Sequence, residues 1–290
     1  PNPLPLRTPV PSNDDLGTGG DVSVSPRYLA GLPGHADPSF APVANWPHHR
    51  PDVGPCQLII TSPDHRIRIG WFGDDYDTWL ISAAQDPVSA PCWSARINQN
   101  TPPEIVEGLT RALAAEWDED SDTFLTRPSV YWSDAVQPLL DAGWDRKPLL
   151  RGTVEVVSPD GLAGASIDIV SSGPDAETVT LWAGPPGWGT RAKAIFTART
   201  PKHLIAATAA ALADPTPVLR YEAGLHPQLA KLARLAPVEP PRPATPTPLD
   251  VQRAAAARRP AAVPACSLRR WTTSTSPPTP AVGSRPGLRR

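Results

Sequence analysis

The sequence predicts an α+β protein made of two tandem copies of one structural unit. The tripeptide Ser62-Pro63-Asp64 recurs as Ser158-Pro159-Asp160. The dipeptide Thr101-Pro102 recurs as Thr200-Pro201 at nearly the same separation, and each Thr-Pro opens an Ala-rich run of helical character. Because one turn and one helix start recur in a single frame, each unit should hold a short helix, four antiparallel strands and a longer helix.

Four strand-like runs are expected in each unit, joined by short loops that favour an antiparallel meander. The run 66–71 alternates strictly, which places Ile67, Ile69 and Trp71 on one face. We expect helices on one face of each four-stranded sheet, and the exposed sheet faces of the two units could then join. The predicted strands are 56–61, 66–71, 76–83 and 93–97, then 153–157, 165–170, 178–182 and 190–197.

The helix after Thr101 carries the strongest local signals. Thr101 is in position to cap it, with proline at the first helical position and Glu104 two residues later, which is a capping box. Apolar residues then recur at helical spacing and predict one buried stripe: Ile105, Leu109, Leu113 and Trp117.

Composition divides the chain into four segments. Residues 1–20 predict a disordered lead-in, 21–125 the first repeat domain and 126–236 the second. Residues 237–290 contain 12 prolines and nine arginines against Glu239 and Asp250, which predicts a disordered basic tail. The same composition is typical of a frame-shifted end.

Charge and cysteine content narrow the partners and the compartment. The chain carries a net charge of −2, and because the tail is basic, the remainder is acidic and should repel nucleic acid unless its charge is segregated. Three cysteines form no CxxC pair and predict no disulfide framework, which favours a cytoplasmic protein. The apolar window 204–213 is too short to span a bilayer, so no membrane partner is expected.

These landmarks resemble an actinobacterial tandem-repeat family known as domain of unknown function 317. The matching residues are 24–31, Ser62-Pro63-Asp64, Trp93-Ser94-Ala95 and 101–105. The resemblance covers about residues 22–214, and Ala192 replaces Trp93 in the second copy. Because the family has no established activity, cofactor or catalytic residue, the resemblance implies architecture alone.

Clusters that could hold a metal favour solvated loops instead. His35, Asp37, His48, His49 and Asp52 match no ligand spacing and have no equivalent in the second copy. The acidic groups 74–77 and 118–122 lack the glycine and closing glutamate of a calcium loop. Cys56 and Cys92 have no basic neighbour in sequence, which favours buried thiols. No cofactor or metal is expected.

The sequence therefore favours a non-enzymatic protein that binds a polypeptide or a small ligand. Two alternatives remain: a hydrolase using the 74–77 turn with a histidine, and nucleic-acid association through the Arg-rich tail. Tryptophan is enriched at binding surfaces, and most of the ten tryptophans fit the core. The candidate surface comprises Trp79, Trp182, Trp188, Asp74 and Asp75.

Overall fold

A computed structural model describes residues 20–34, 37–73, 78–119, 122–125, 129, 131–171, 173–187, 189–238, 249 and 253. The chain divides into two units, Pro1–Glu239 and Pro240–Arg290, and the elements below belong to the first. The predicted disordered segments, 1–20 and 237–290, lie almost entirely outside the described residues.

Thirteen strands occur in the described residues, and the predicted strands are recovered with small shifts. In chain order the strands are β1 (Asp21–Ser25), β2 (His48–His49), β3 (Leu58–Thr61), β4 (Ile67–Trp71), β5 (Trp79–Ala83), β6 (Trp93–Ile97), β7 (Asp145–Arg146), β8 (Thr153–Val157), β9 (Ala163–Asp168), β10 (Glu177–Ala183), β11 (Ala192–Thr197), β12 (Val218–Tyr221) and β13 (Arg234–Pro237).

One continuous ten-stranded antiparallel sheet replaces the expected pair of four-stranded sheets. Its order is β2-β3-β4-β5-β6-β11-β10-β9-β8-β7. Each repeat contributes five strands, because β2 and β7 add two-residue edges that are too short to show a sequence period. The repeats join edge to edge through β6 and β11, and not face to face, since this pairing satisfies the backbone groups of two otherwise open edges.

The seam between β6 and β11 has the geometry of a pseudo-two-fold axis. Arg96 pairs with Ile195, and each lies five residues before its Thr-Pro dipeptide, so equivalent positions face each other. The flanking pairs, Ile97 with Ala194 and Ala95 with Phe196, are exchanged by the same rotation. Antiparallel pairing of one strand with its own counterpart requires a two-fold relation, which excludes a simple translation of the repeat.

Helices pack in one layer on the inner face of the sheet. They are α1 (Pro103–Asp118), α2 (Ser133–Asp141) and α3 (Lys202–Ala213), with a 3₁₀ segment at Pro38–Val43, while a fourth short helix, α4 (Pro227–Leu232), packs against β13 and the 3₁₀ segment Arg27–Leu29. The segment Pro38–Val43 packs on α1, α1 on α3, and α3 on α2, so the layer repeats the symmetry of the sheet. Both sheet halves and these helices contribute to one hydrophobic cluster.

The contact between α1 and α3 is set by small residues. Gly108 and Ala207 lie at equivalent positions, seven residues after Thr101 and Thr200. A Cβ atom at Gly108 would lie 2.7 Å from the Ala211 Cβ and 3.0 Å from the Ala207 carbonyl oxygen. The two helices therefore approach as closely as their backbones allow, at the same place where the symmetry passes through the sheet below.

The expected capping box at Thr101 is wrong. Helix α1 begins at Pro103 after Pro102, and no side chain caps it. The Thr101 hydroxyl instead contacts the Asn98 side chain at 3.0 Å and the Lys193 carbonyl oxygen at 3.2 Å, tying the helix start to the seam. Glu104 is drawn away by Arg220, which donates two hydrogen bonds to its carboxylate at 2.8 and 2.6 Å.

A small second sheet joins the two ends of the first unit. Strand β1 lies between β12 and β13, and all three are antiparallel. A separate apolar cluster that includes Val22, Val24 and Val218 lies beneath this sheet. Arg220 of β12 is almost fully buried and reaches α1 through Glu104, so the small sheet is anchored to the helical layer.

Four tryptophans pack in or against the hydrophobic core. Trp46 and Trp144 are both buried at matching places in the two repeats, and Trp71 and Trp117 pack partly buried against the same core. In the described part of the chain, no helix has the length and apolar character that crossing a membrane requires.

Replacement of Gly108 by a larger residue should destabilise the fold, even though glycine itself is about 1 kcal/mol less favourable than alanine in a helix. The new Cβ must push α1 away from Ala211, and we expect Gly108→Leu to lower the free energy of unfolding by roughly 1–3 kcal/mol. The control is Ala115→Leu on an exposed position of the same helix. Urea melts that place Gly108→Leu at or above the stability of Ala115→Leu would contradict the packing described.

Candidate functional site

The Ser-Pro-Asp turn of the first repeat is a hydrogen-bonded hairpin turn between β3 and β4. The Ser62 hydroxyl donates to the Asp64 carboxylate at 2.5 Å and accepts the Ile67 N–H at 3.0 Å. Asp64 also accepts the Arg66 N–H at 3.1 Å. His65 takes a left-handed conformation with φ of 62°, which reverses the chain.

The second repeat builds the same turn between β8 and β9. Ser158 donates to Asp160 at 2.6 Å and accepts the Ala163 N–H at 2.9 Å, while Asp160 accepts the Leu162 N–H at 2.9 Å. Gly161 supplies the left-handed residue, with φ of 72°. Each tripeptide therefore closes a hairpin, and its aspartate carboxylate accepts hydrogen bonds within the turn.

The N-terminal segment completes the second repeat and not the first. Tyr28 donates its hydroxyl to Asp160 at 2.5 Å and packs edge-on against Trp144, with ring centroids 6.0 Å apart. Phe124 holds the equivalent place in the first repeat, because Tyr28 and Phe124 each lie 34 residues before a Ser-Pro-Asp turn. There Arg66 lies over the Phe124 ring and pairs with Asp64.

Opposing effects set the pKa of the two turn carboxyls. Burial raises the pKa of Asp160, but hydrogen bonds from Ser158, Tyr28 and the Leu162 N–H outweigh burial and hold it below its usual range. At Asp64 burial acts in the same direction, and bonds from Ser62 and Arg66 lower the pKa overall. Burial, with the Asp160 charge beside it, raises the pKa of the Tyr28 hydroxyl.

A groove of about 570 Å³ lies between α1 and α3 on the outer side of the helical layer. Gly108, Ala112 and Ala211 line it, and charged side chains surround it. These charges pair with one another or with nearby groups: Arg27 with Asp214 at 2.9 Å, Arg111 with Glu107, and Glu104 with Arg220. The groove thus results from the close packing of α1 and α3, and the charged side chains around it are already paired.

The face of the ten-stranded sheet opposite the helices is the largest candidate surface. Strand register places a row of side chains across both repeats on this face, comprising Ile59, Gly70, Leu80, Arg96, Ile195, Thr180, Ser166 and Glu155. Arg68 and Lys193 lie on the same face and are exposed. In the part of the chain that the structure describes, the helices pack on the other face.

Two aromatic rings cover glycines on the open face. Phe72 packs over Gly70, where a Cβ would lie 3.1 Å from the ring. Trp182 packs over Gly164, where a Cβ would lie 2.6 Å from the indole. The Arg191 guanidinium stacks on Trp182, 3.9 Å from the ring centroid.

Arg191 is fixed as well as stacked. It donates to the Gly184 carbonyl oxygen at 2.6 Å, and its own carbonyl accepts from the Asn98 side chain at 2.7 Å across the seam. Burial lowers its pKa, and the nearby Glu155 carboxylate opposes that effect. Trp182 and Arg191 therefore form a rigid feature of the open face.

The structure separates the candidate residues predicted from sequence. Trp182 lies half-buried on the open face, whereas Trp79 is 4% exposed and packs in the core against Phe40, so it offers no surface. Trp188, Asp74 and Asp75 lie outside the described residues. Trp79 is buried because its position in β5 faces the helices, in register with Ile97.

The structure places the two cysteines and part of the His and Asp clusters that the sequence analysis assigned to solvated loops. Cys56 and Cys92 are unpaired and partly buried. Among the described residues, no group of three or more His, Cys, Asp or Glu is arranged to hold a metal ion. His35 and the 74–77 turn lie outside those residues.

Comparison with known families matches both repeats. The profile of the family described as SPDY, domain of unknown function (DUF317), matches residues 61–118 and residues 157–218. Over these two regions the chain resembles a tandem-repeat DUF317 protein. No curated protein and no solved structure matches the chain.

Each DUF317 match begins at the Ser-Pro-Asp turn or next to it, and contains the three following strands and the long helix. Strands β2 and β7, most of β3 and β8, and the short helix α2 lie before the matched region of their repeat, and α4 lies after the second match. The Ser-Pro-Asp turn at the start of each match is therefore a hairpin turn of the ten-stranded sheet.

Sequence reasoning missed the basic residues around the seam. Arg191 and Lys193 alternate with the buried Ala192 and Ala194, which is the period-two signal of a half-exposed strand. The equivalence of Gly108 and Ala207 was also readable from the shared Thr-Pro frame. The role of Tyr28 was not, because its partner Asp160 lies in the other repeat.

Replacement of Asp160 by asparagine should weaken the second repeat in a pH-dependent way. The lowered pKa means that the carboxylate stabilises the fold above its unfolded pKa of about 3.9, and this contribution is lost as pH falls through the folded value. We expect Asp160→Asn to lower the free energy of unfolding by about 1 kcal/mol at pH 7, with a smaller difference near pH 3.

The control for this prediction is Asp175→Asn, which lies in an exposed turn and should change stability by less than about 0.5 kcal/mol. Urea melts at pH 7 and pH 3 give both comparisons. An Asp160→Asn protein as stable as wild type at pH 7 would show that the turn carboxylate does not hold the N-terminal segment in place.

Proposed function

We propose that this tandem DUF317 protein is a non-enzymatic binding protein, and that the open face of its ten-stranded sheet binds a polypeptide. The observation that carries the proposal is the continuity of that face. Edge pairing of β6 with β11 merges two small faces into one platform that spans both repeats.

The composition of the platform supports polypeptide binding. Leu80 and Ile195 lie beside Arg96 near the centre, and exposed charges at Arg68 and Lys193 surround them. An apolar centre with a polar rim is the usual arrangement of protein–protein interfaces. The rigid Trp182–Arg191 pair adds the two residue types that contribute most often to interface hot spots.

The groove between α1 and α3 is a weaker candidate for the same role. Its charges are already engaged in ion pairs, and its floor consists of small side chains that offer little apolar area. The platform, by contrast, presents long aliphatic and cationic side chains across both repeats. This contrast favours the sheet face as the binding surface.

A cytoplasmic location is part of the proposal. The unpaired Cys56 and Cys92 are compatible with a reducing compartment, in which disulfides are rare. The interaction is proposed to require the first unit, since the platform lies entirely within Pro1–Glu239.

Charge reversal on the platform tests the proposal. We expect the double variant Arg68→Glu/Lys193→Glu to lose at least one protein that the wild type retains in quantitative affinity capture from the source organism. The control is Arg111→Glu/Lys231→Glu, which makes the same charge change at exposed positions on helices and should retain that protein. Identical sets of captured proteins from both variants would contradict the proposal.

A further inference from the structure

Charged side chains are unevenly distributed over the helices and the open face of the sheet. Helices α1 to α4 carry acidic side chains at Glu104, Glu107, Glu116, Asp118, Asp134 and Asp141, against the basic Arg111, Lys202 and Lys231. The open face carries its basic side chains, Arg68, Arg96, Arg191 and Lys193, on or beside β4, β6 and β11, whereas its acidic side chains, Asp145, Glu155, Asp168 and Glu177, lie on β7 to β10. The part of the platform from β4 to β11 is thus basic, although the chain carries a net charge of −2.

Neutralising contacts leave two of these cations available. Arg96 pairs with Glu177, and Arg191 is stacked on Trp182 in the field of Glu155. Lys193 is exposed and makes no ion pair within the described ranges, and Arg68 contacts the Pro87 carbonyl oxygen, which leaves its charge unneutralised. The free positive charge of the platform therefore sits at Arg68 and Lys193.

The spacing of these two cations fits an extended segment. Arg68 lies on β4 and Lys193 on β11, three strand spacings apart, which is about 14 Å across the sheet. Register offsets them by four residues, about 13 Å along the strands, so their Cα atoms lie roughly 20 Å apart. About six extended residues span that distance, and Leu80 and Ile195 lie between the two ends.

We propose that the partner of the platform is an acidic polypeptide segment with apolar residues between its carboxylates. This inference rests on the proposed function and names its partner class. The carboxylates pair with Arg68 and Lys193, and the apolar residues cover Leu80 and Ile195. Single-stranded nucleic acid is less suited, because base stacking needs a free aromatic face, whereas the Trp182 indole packs against Gly164 and is stacked with Arg191.

Fluorescence anisotropy with defined probes tests the partner class. The probes are a labelled 12-residue peptide with Glu at positions 3 and 9, Leu at positions 5 and 7 and Ser elsewhere, the same peptide with Gln for Glu, and a 12-nucleotide oligothymidine; in the extended peptide the Glu and Leu side chains share one face. We expect the acidic peptide to bind the wild type, to bind Arg68→Glu/Lys193→Glu about tenfold more weakly, and to weaken as salt rises from about 50 to 300 mM.

The control variant Arg111→Glu/Lys231→Glu should bind the acidic peptide as the wild type does, and circular dichroism should show that both variants are folded. Equal affinity for the Glu and Gln peptides, or equal affinity of the two double variants, would overturn the acidic partner. Tighter binding of oligothymidine than of the acidic peptide would assign the platform to nucleic acid instead. If affinity capture finds a protein whose retention depends on the platform while the acidic peptide does not bind, the proposed function is retained. Only the acidic partner class is then rejected.

Discussion

The close approach of α1 and α3 over the β6–β11 seam is the constraint on which the rest of the fold depends. Gly108 brings the α1 backbone against Ala207 and Ala211, directly above the pairing of Arg96 with Ile195. A larger residue at this crossing would separate the helices and expose the apolar side chains that both repeats bury in one cluster. The continuous sheet, and the platform on its open face, exist because this contact is tight.

The ends of the first unit reinforce the same arrangement. The segment that carries β1 and Tyr28 precedes the first repeat in sequence but packs on the second, where Tyr28 bonds Asp160. Phe124, which follows α1, takes the matching place in the first repeat. The second repeat is therefore completed by the start of the chain, and pairing of β1 with β12 and β13 holds that start in place.

Local pattern predicted the units, and long-range pairing decided how they assemble. Period-two runs such as 66–71, together with the Ser-Pro-Asp turns, predicted the hairpins. The apolar residues that recur every four positions from Ile105 to Trp117 predicted α1. Joining of the sheets at β6 and β11 depends on contacts between residues about a hundred positions apart, which no local period encodes. Trp79 illustrates the limit for the site: composition made it a surface candidate, whereas its register in β5 makes it core.

The central claim is that the two repeats form one cooperative structure about the seam. Native-state hydrogen exchange followed by mass spectrometry, over a series of low urea concentrations, measures the opening free energy of each helix. The account predicts that the slowest-exchanging amides of α1 and α3 share one opening free energy and one urea dependence. Opening of α3 at a clearly lower free energy, while α1 stays protected, would show that the repeats fold independently and would contradict it.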